Sequence, residues 1–451
     1  MIRLAPRPPS DPARRPHGAR GVPWPGLLLF ATGFAVRALY TWLALGRHPI
    51  PVNDGISYDE IGWNLARGVG FHVHWAAGTY PTAFRPPLYP FLISLVYRAV
   101  GHDVFLALVA QCALGGLLPV LLASFARATF GSSVARIAGL LAAIHPMLIF
   151  FSAYLLTETT FAFVMLLALA ASADWVKTPR PARALGAGLL WGAAVLTRPN
   201  ALLLPPLVAA WAWVPLGLTV TNRDRLRQVA LLAAGVALVV APWTLRNARV
   251  MHAFVPVTTG GGRALFDANN PLIWTDPARR GGAESVYNIE PWASRYRGLD
   301  EVQADRLSGE MAVDFLRAHV AQWPTMAVAK LGRFWRLTSE GGALTGRWQA
   351  SGSALARLRG RLDPLLGWSL LILPLAIWGA VRSLAGPKAL FLSLPLLVIG
   401  AFTLTAVVYW GALRMRVPIE PLVVLYAAAG ADDLRRRWRM RRSGLSVVPA
   451  P

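Results

Sequence analysis

The feature that most limits what this chain can become is a succession of apolar stretches, each about 20 residues long and nearly free of charge, which is the length a helix needs to cross a bilayer. They fall at about 24–45, 103–127, 134–152, 155–173, 184–198 (short), 200–218, 228–246, 365–382, 388–410 and 416–432, about ten in all. A shorter apolar segment, Leu88 to Val100, reads as interfacial. With 55% hydrophobic and only 15% charged residues over 451 positions, the composition lies outside what a soluble surface needs. The expected fold is an all-α polytopic membrane protein.

The formal charge of +23, from 45 basic against 22 acidic residues, invites a nucleic-acid reading. The basic residues, however, sit mainly in short runs between apolar stretches, a pattern that suits anchoring beside anionic lipid heads and argues against nucleic acid. Arg3, Arg7, Arg14, Arg15 and Arg20 precede the first stretch and "LRRRWRMRRSG" follows the last. Both ends are therefore expected on the cytoplasmic side of the plasma (inner) membrane, with an even number of spans. The expected organisation is a disordered, Pro-rich basic tail (1–22), an N-terminal transmembrane module (23–246) whose first loop covers 46–102, an extracytoplasmic loop region (247–363), C-terminal transmembrane helices (364–433) and a basic tail (434–451). The opening apolar run is too long for a cleaved signal peptide. The lone cysteine, Cys112, offers neither a disulfide nor a thiolate metal site.

In this acid-poor chain, "VNDGISYDEIGWNLARG" (52–68) gathers several acids at the first loop. "SYDE" matches a capping box, with Ser57 at the cap and Glu60 reaching back to it. Tyr58, Ile61, Gly62 and Leu65 then share one stripe of a helix lying along the membrane surface. The helix dipole accounts for Asp59 in the first turn. Asp54, ahead of the cap, has two readings: a turn residue beside Gly55, or a catalytic base.

Arg85, just before the Pro-Pro pair of "RPPLYPFL", lies where the chain re-enters the membrane, and needs an anionic partner: a lipid head group or a substrate phosphate. Arg198 in "LTRPN", Arg246 in "APWTLRN", and Arg414 and Arg416 in "RMRVPIEP" also fall at expected outer ends of spans, against the positive-inside trend. An anionic ligand on that face would explain them.

The ordered motifs "NDGISYDEIGWNLARGVGF", "RPPLYPFL", "LLTETTFAF", "LTRPN", "APWTLRN", "GGGRALFDANNP" and "RMRVPIEPLVVL" resemble the membrane glycosyltransferases of the dolichyl-phosphate-mannose protein mannosyltransferase and lipid A aminoarabinose transferase family. The resemblance spans about Asp54 to Leu425. It implies a GT-C-like bundle, a polyprenyl-phosphate-linked sugar as donor, and an essential acid in the first extracytoplasmic loop, at Asp54. In the lipid A relative a lysine takes the place of Arg85, and Arg414 and Arg416 match basic residues near the last span. Many relatives follow the first acid directly with a second. Here that position is Gly55, so a carboxylate pair is not implied.

Displacing a phosphate from an anomeric carbon needs a base for the acceptor hydroxyl and cations for the leaving phosphate. Asp54 would supply the first, and Arg85, Arg414 and Arg416 the second. Direct attack by the acceptor would invert the sugar carbon. Tyr58, Asp59, Glu158, Arg198 and Arg246 are further substrate-binding candidates. Glu158 in "LLTETTF" could instead pair with Arg198 or cap a helix. No cofactor is demanded, although a divalent metal is compatible: His72 and His74 in "FHVHW" would share one face of a strand, as weak ligands or as plain interfacial histidines. "TTGGGRALFDANNP" follows no strand and lacks the lysine of a nucleotide phosphate loop, so it reads as a turn or an acceptor-side loop. Residues 285–345 read as helices against the outer membrane surface. The expected partners are the lipid-linked donor, a glycan, lipid or protein acceptor, and membrane lipids. The competing readings are a lipid-linked sugar flippase, which would show mid-span charge and an internal repeat, and a scaffold in which no single acid matters.

Overall fold

The computed structural model describes residues 24–75, 78–338, 364–386 and 388–442. The expectations for the 1–22 tail, for 339–363 of the large loop and for residues beyond 442 lie outside the described residues.

In chain order the helices are α1 (Trp24–Leu45), α2 (Asp54–Ala66), α3 (Leu88–Val100), α4 (Val104–Thr129), α5 (Ser132–Ala143), α6 (Pro146–Ser152), α7 (Glu158–Lys177), α8 (Pro181–Val195), α9 (Leu204–Leu216) and α10 (Asn222–Met251). The large loop contributes α11 (Gly261–Ala268), α12 (Pro271–Thr275), α13 (Trp292–Arg295), α14 (Glu301–Ala318) and α15 (Trp323–Phe334). The chain ends in α16 (Pro364–Leu384), α17 (Ala389–Val408), α18 (Leu413–Arg416) and α19 (Glu420–Arg442). A two-stranded antiparallel hairpin, β1 (His72–Trp75) and β2 (Gly78–Pro81), pairs His72 with Pro81 and His74 with Thr79.

The chain is a mostly helical, multi-pass membrane protein. Among the described residues six helices are long and apolar enough to cross a membrane, and a seventh span results if α5 and α6 count as one. The expected count of about ten is not confirmed on these grounds. α8 has only 15 residues, and α19 runs into the arginine-rich tail.

The stretch expected to span 134–152 is broken: α5 and α6 meet at a 45° bend. Pro146 opens α6, and proline cannot supply the amide a continuous helix needs. The carbonyls freed at the end of α5 are met from outside. Arg37, fully buried in α1, donates to the Ala142 and Ala143 carbonyls at 3.1 Å each and to its own Gly33 carbonyl at 2.9 Å. In a medium without water, this cationic cap replaces solvent at an open helix end.

Two crossings in the bundle depend on glycine for close approach rather than for backbone freedom. A methyl group at position 188 of α8 would stand 2.1 Å from the Leu232 carbonyl of α10, and one at 235 would stand 2.5 Å from the Leu185 carbonyl. α16 and α19 repeat the device, with Gly379 against Tyr426 and Gly430 against Leu375. Helices in lipid gain no hydrophobic drive to associate, so such small-residue contacts supply the packing. The main core lies among α4, α5, α7, α8, α9, α17 and α19.

At one end of the bundle the first loop lies on the large loop. α2 packs on α3, with Tyr58 edge-on to Tyr89 at 5.1 Å and Gly62 against Ile93. Glu301, at the start of α14, then clasps the first loop: it accepts from the Thr82 hydroxyl (2.7 Å), the Ala83 amide (3.0 Å) and the Thr259 hydroxyl.

Candidate active site

Asp54 is the first residue of α2, not a loop residue ahead of a cap at Ser57. The helix starts three residues before the expected capping box because both members of that box are engaged elsewhere. The Ser57 hydroxyl donates to the Asp54 carbonyl at 2.9 Å and accepts from Arg85 Nε at 2.8 Å. The Glu60 carboxylate takes the His74 backbone amide and faces His74 Nδ1 at 3.1 Å. Asn53, with φ at 53°, makes the turn that launches the helix, a positive φ that asparagine adopts more readily than most non-glycine residues.

Around Asp54 the charges alternate. Arg85 Nη2 donates to Asp54 Oδ1 at 2.7 Å, and Arg414 Nη1 donates to Oδ2 at 2.6 Å. Arg414 turns its Nε to Glu158 Oε1 at 2.5 Å, and Arg198 reaches the same oxygen through Nη1 at 3.0 Å. Three guanidiniums thus hold two carboxylates, leaving one positive charge in excess. Glu158, the first residue of α7, is fully buried, whereas the Asp54 side chain keeps 32% of its surface open.

Each member is held by its own local device. Pro86 and Pro87 restrict the backbone that carries Arg85. The Arg85 guanidinium also lies over the rings of Phe84 (4.6 Å) and Tyr58 (5.0 Å). α18, which carries Arg414, is fixed at Gly411, whose amide donates to the Gly281 carbonyl at 2.9 Å. A methyl at 411 would come within 1.8 Å of the Lys330 carbonyl.

Burial alone would raise the pKa of Asp54, but the Arg414 and Arg85 charges and hydrogen bonds outweigh it and hold the carboxyl well below the usual carboxylate range. Burial works against the cationic form of Arg414, which Glu158 and Asp54 more than restore. The Tyr58 hydroxyl is pushed up by burial, so it stays a neutral donor beside the pair.

The candidates from the sequence separate clearly. Asp54, Tyr58, Arg85, Glu158, Arg198 and Arg414 come together. Arg416, expected beside Arg414, is not brought to this centre: it is buried against Glu420, with Ser369 Oγ accepting from it at 2.9 Å. His145 and Trp368 complete that separate cluster, with His145 Nε2 3.2 Å from Glu420 Oε2 and 2.9 Å from Trp368 Nε1. Asp59 faces away, bonded to Tyr97 (2.5 Å) and His102 (2.9 Å). Arg246 braces the first loop, donating to the Thr82 and Phe71 carbonyls at 2.7 and 3.1 Å. His72 and His74 lie two apart on β1 and Glu60 meets His74, but among the described residues no three acidic, histidine or cysteine side chains are grouped so as to hold a metal ion. The flippase reading asked for mid-span charge, and Arg37 is one that sequence reasoning missed. A lone arginine inside an apolar run was the available signal.

The family model described as dolichyl-phosphate-mannose-protein mannosyltransferase matches residues 84–245, a segment that contains Arg85, Glu158 and Arg198 but neither Asp54 nor Arg414. No curated protein matches the chain. Among solved structures, the archaeal oligosaccharyltransferase AglB from Archaeoglobus fulgidus, in complex with an inhibitory peptide and a dolichol-phosphate, is 16% identical, with a TM-score of 0.53 over 95% of this chain and 53% of AglB. An Archaeoglobus fulgidus oligosaccharyltransferase with Zn and sulfate gives 16% identity and a TM-score of 0.55 over 92% of this chain and 50% of the other. This chain therefore spans about half the length of those enzymes. ArnT from Cupriavidus metallidurans, bound to undecaprenyl phosphate, is 18% identical over 91% of this chain and 78% of ArnT, at a TM-score of 0.42. The chain shares its fold with the matched part of the archaeal oligosaccharyltransferase structures and resembles the dolichyl-phosphate-mannose-protein mannosyltransferases in sequence over residues 84–245.

Proposed function

We propose that the protein transfers a sugar from a polyprenyl-phosphate donor to an acceptor hydroxyl at the extracytoplasmic face, with inversion and with Asp54 as general base. The observation that carries this reading is the half-open Asp54 carboxylate held between Arg85 and Arg414. Two guanidinium forks that converge on one carboxylate also form a ready site for a phosphate of the same charge sign.

In the resting arrangement Asp54 is a poor base, because both of its oxygens accept from cations. A donor phosphate competes for Arg85 and Arg414. As the forks turn to the phosphate they stabilise the charge that grows on the leaving group. Asp54 loses its partners and regains basicity where the acceptor hydroxyl must lose its proton. Glu158 and Arg198 stay behind and keep Arg414 from drifting with the ligand. The same cations therefore suppress the base before the donor arrives and serve the leaving group afterwards.

Membranes containing the protein, incubated with radiolabelled polyprenyl-phosphate sugars, should pass label to an acceptor and release polyprenyl phosphate. Label that crosses the membrane still attached to its lipid, with no transfer, would support the flippase reading instead.

A further inference from the structure

A cavity of about 750 Å³ lies between the first loop and the large loop, walled by β2, the end of α10, α11, α13 and the first turns of α14. Resting on the transferase reading above, we infer that this cavity is an acceptor subsite that takes an uncharged, hydroxyl-rich carbohydrate, and that Phe84 is the wall it shares with the Asp54 centre.

The shared wall is explicit in the contacts. The Phe84 ring carries both the Arg85 guanidinium, at 4.6 Å, and that of Arg263, at 5.4 Å. Arg263 in turn lies 4.2 Å from the Tyr287 ring, which stacks on Tyr296 at 4.0 Å with 12° between planes. A ladder of flat groups thus runs from the cation on Asp54 into the cavity. Its rungs are fixed. Gly262 lets α11 press against α14, since a methyl there would stand 2.1 Å from the Asp305 carbonyl. The Asp305 carboxylate holds the Arg263 amide at 2.9 Å, and Tyr296 shares a hydrogen bond of 2.9 Å with Ser308.

The lining selects the ligand class. Tyr80, Tyr287 and Tyr296 bring aromatic surface to the cavity wall, which suits the C–H groups of a pyranose ring, and the volume lies in the range that encloses a small organic ligand. Hydroxyl groups both donate and accept, and the cavity offers both signs: Arg263 and Arg297 against Asp300, Glu301 and Asp305. The carboxylates outnumber the guanidiniums by three to two, and Glu301 and Asp305 already accept hydrogen bonds from the Ala83 and Arg263 amides, so the lining holds no excess cation for an anionic ligand. The glycine-rich segment "GGGRALFDANNP" then has a role, because it brings Arg263 onto the ladder.

The test uses the purified full-length protein in detergent, without donor, and saturation-transfer NMR with maltose, cellobiose and mannobiose. At least one disaccharide should receive saturation on its ring protons. Loss of the Tyr287 ring from the cavity wall in Tyr287→Ala should weaken that binding roughly tenfold, while Tyr287→Phe, which keeps the ring, should retain it. Asp54→Asn should leave it unchanged, which separates this site from the transfer centre. Saturation on none of the sugars, or binding unaffected by Tyr287→Ala, overturns the proposal even if transfer activity is present. Saturation confined to a Ser/Thr-rich peptide overturns the carbohydrate class. Sugar binding in a protein that shows no transfer keeps the subsite and removes the transferase reading.

Discussion

Replacing Asp54 by Asn separates the two roles of the carboxylate, because it should change donor affinity and turnover in opposite directions. Asparagine keeps the size and one acceptor oxygen, so one of Arg85 and Arg414 keeps its partner while the other faces the amide NH2, and the negative charge that competes with the donor phosphate is gone. The cluster then has two excess positive charges. Asp54 keeps 32% of its side-chain surface exposed, so solvent screening limits the gain to about 1.4 kcal/mol, or roughly tenfold tighter binding of polyprenyl phosphate. Loss of the base should lower the single-turnover rate by roughly 100-fold to 10,000-fold, about 3 to 5 kcal/mol in the barrier. Binding is read by titration with polyprenyl phosphate and the chemical step by rapid quench at saturating donor. Glu60→Gln is the control, since Glu60 meets His74 and not this cluster. A variant that binds polyprenyl phosphate more weakly while turning over normally would refute both the competition and the base.

The other expectations are more local. Arg85→Lys should impair donor use less than Arg85→Ala, whose loss of a charge-assisted contact should cost roughly 2 to 4 kcal/mol of transition-state binding; full activity in Arg85→Ala assigns the phosphate to Arg414. Glu158→Gln leaves Arg198 and Arg414 without their buried anion and should destabilise by about 3 to 5 kcal/mol, read as a drop in the folded fraction on size exclusion. Burial pushes Asp267 up to about 7, with Arg263 opposing. Its folded form holds a proton that the unfolded form has lost, so stability should fall as pH rises from about 4 to 7. Asp267→Asn should therefore raise Tm by more at pH 8 than at pH 5. Introduced cysteines at 69 and 218, both exposed, should be labelled by an impermeant reagent from opposite sides of the membrane; buried Cys112 gives little background. Labelling of position 69 from the cytoplasmic side only would reverse the topology.

What could be read from the sequence was whatever depends on neighbours in the chain. α3 runs from Leu88 to Val100, where the apolar segment was placed, because hydrophobic period and flanking Pro and Gly are local signals. Asp54, Arg85 and Arg414 were found as charges that their own surroundings did not explain, and they meet across 31 and 360 positions of the chain. The start of α2 was misread because the capping-box pattern is a competition for hydrogen bonds, and Arg85 and His74, both distant, win it. Proximity in sequence makes Arg416 look like a partner of Arg414. The signal against it was present: Glu420 lies four residues on, the spacing of an intrahelical ion pair. The ladder from Phe84 to Tyr296 left no such trace, since its rungs come from separate loops.

Arg37 imposes an order on biogenesis. It leaves the ribosome with α1, but two of the carbonyls it serves lie 105 and 106 residues later. Until those are made, α1 carries an unanswered cation that costs about 2.5 to 3.5 kcal/mol at the centre of an inserting helix. The first span therefore has reason to linger at the translocon until α5 arrives, so that residues 24–143 commit to the bilayer together. A nascent chain stopped before Ala142 should insert α1 less completely than one stopped after Ser152, and Arg37→Leu should abolish that difference.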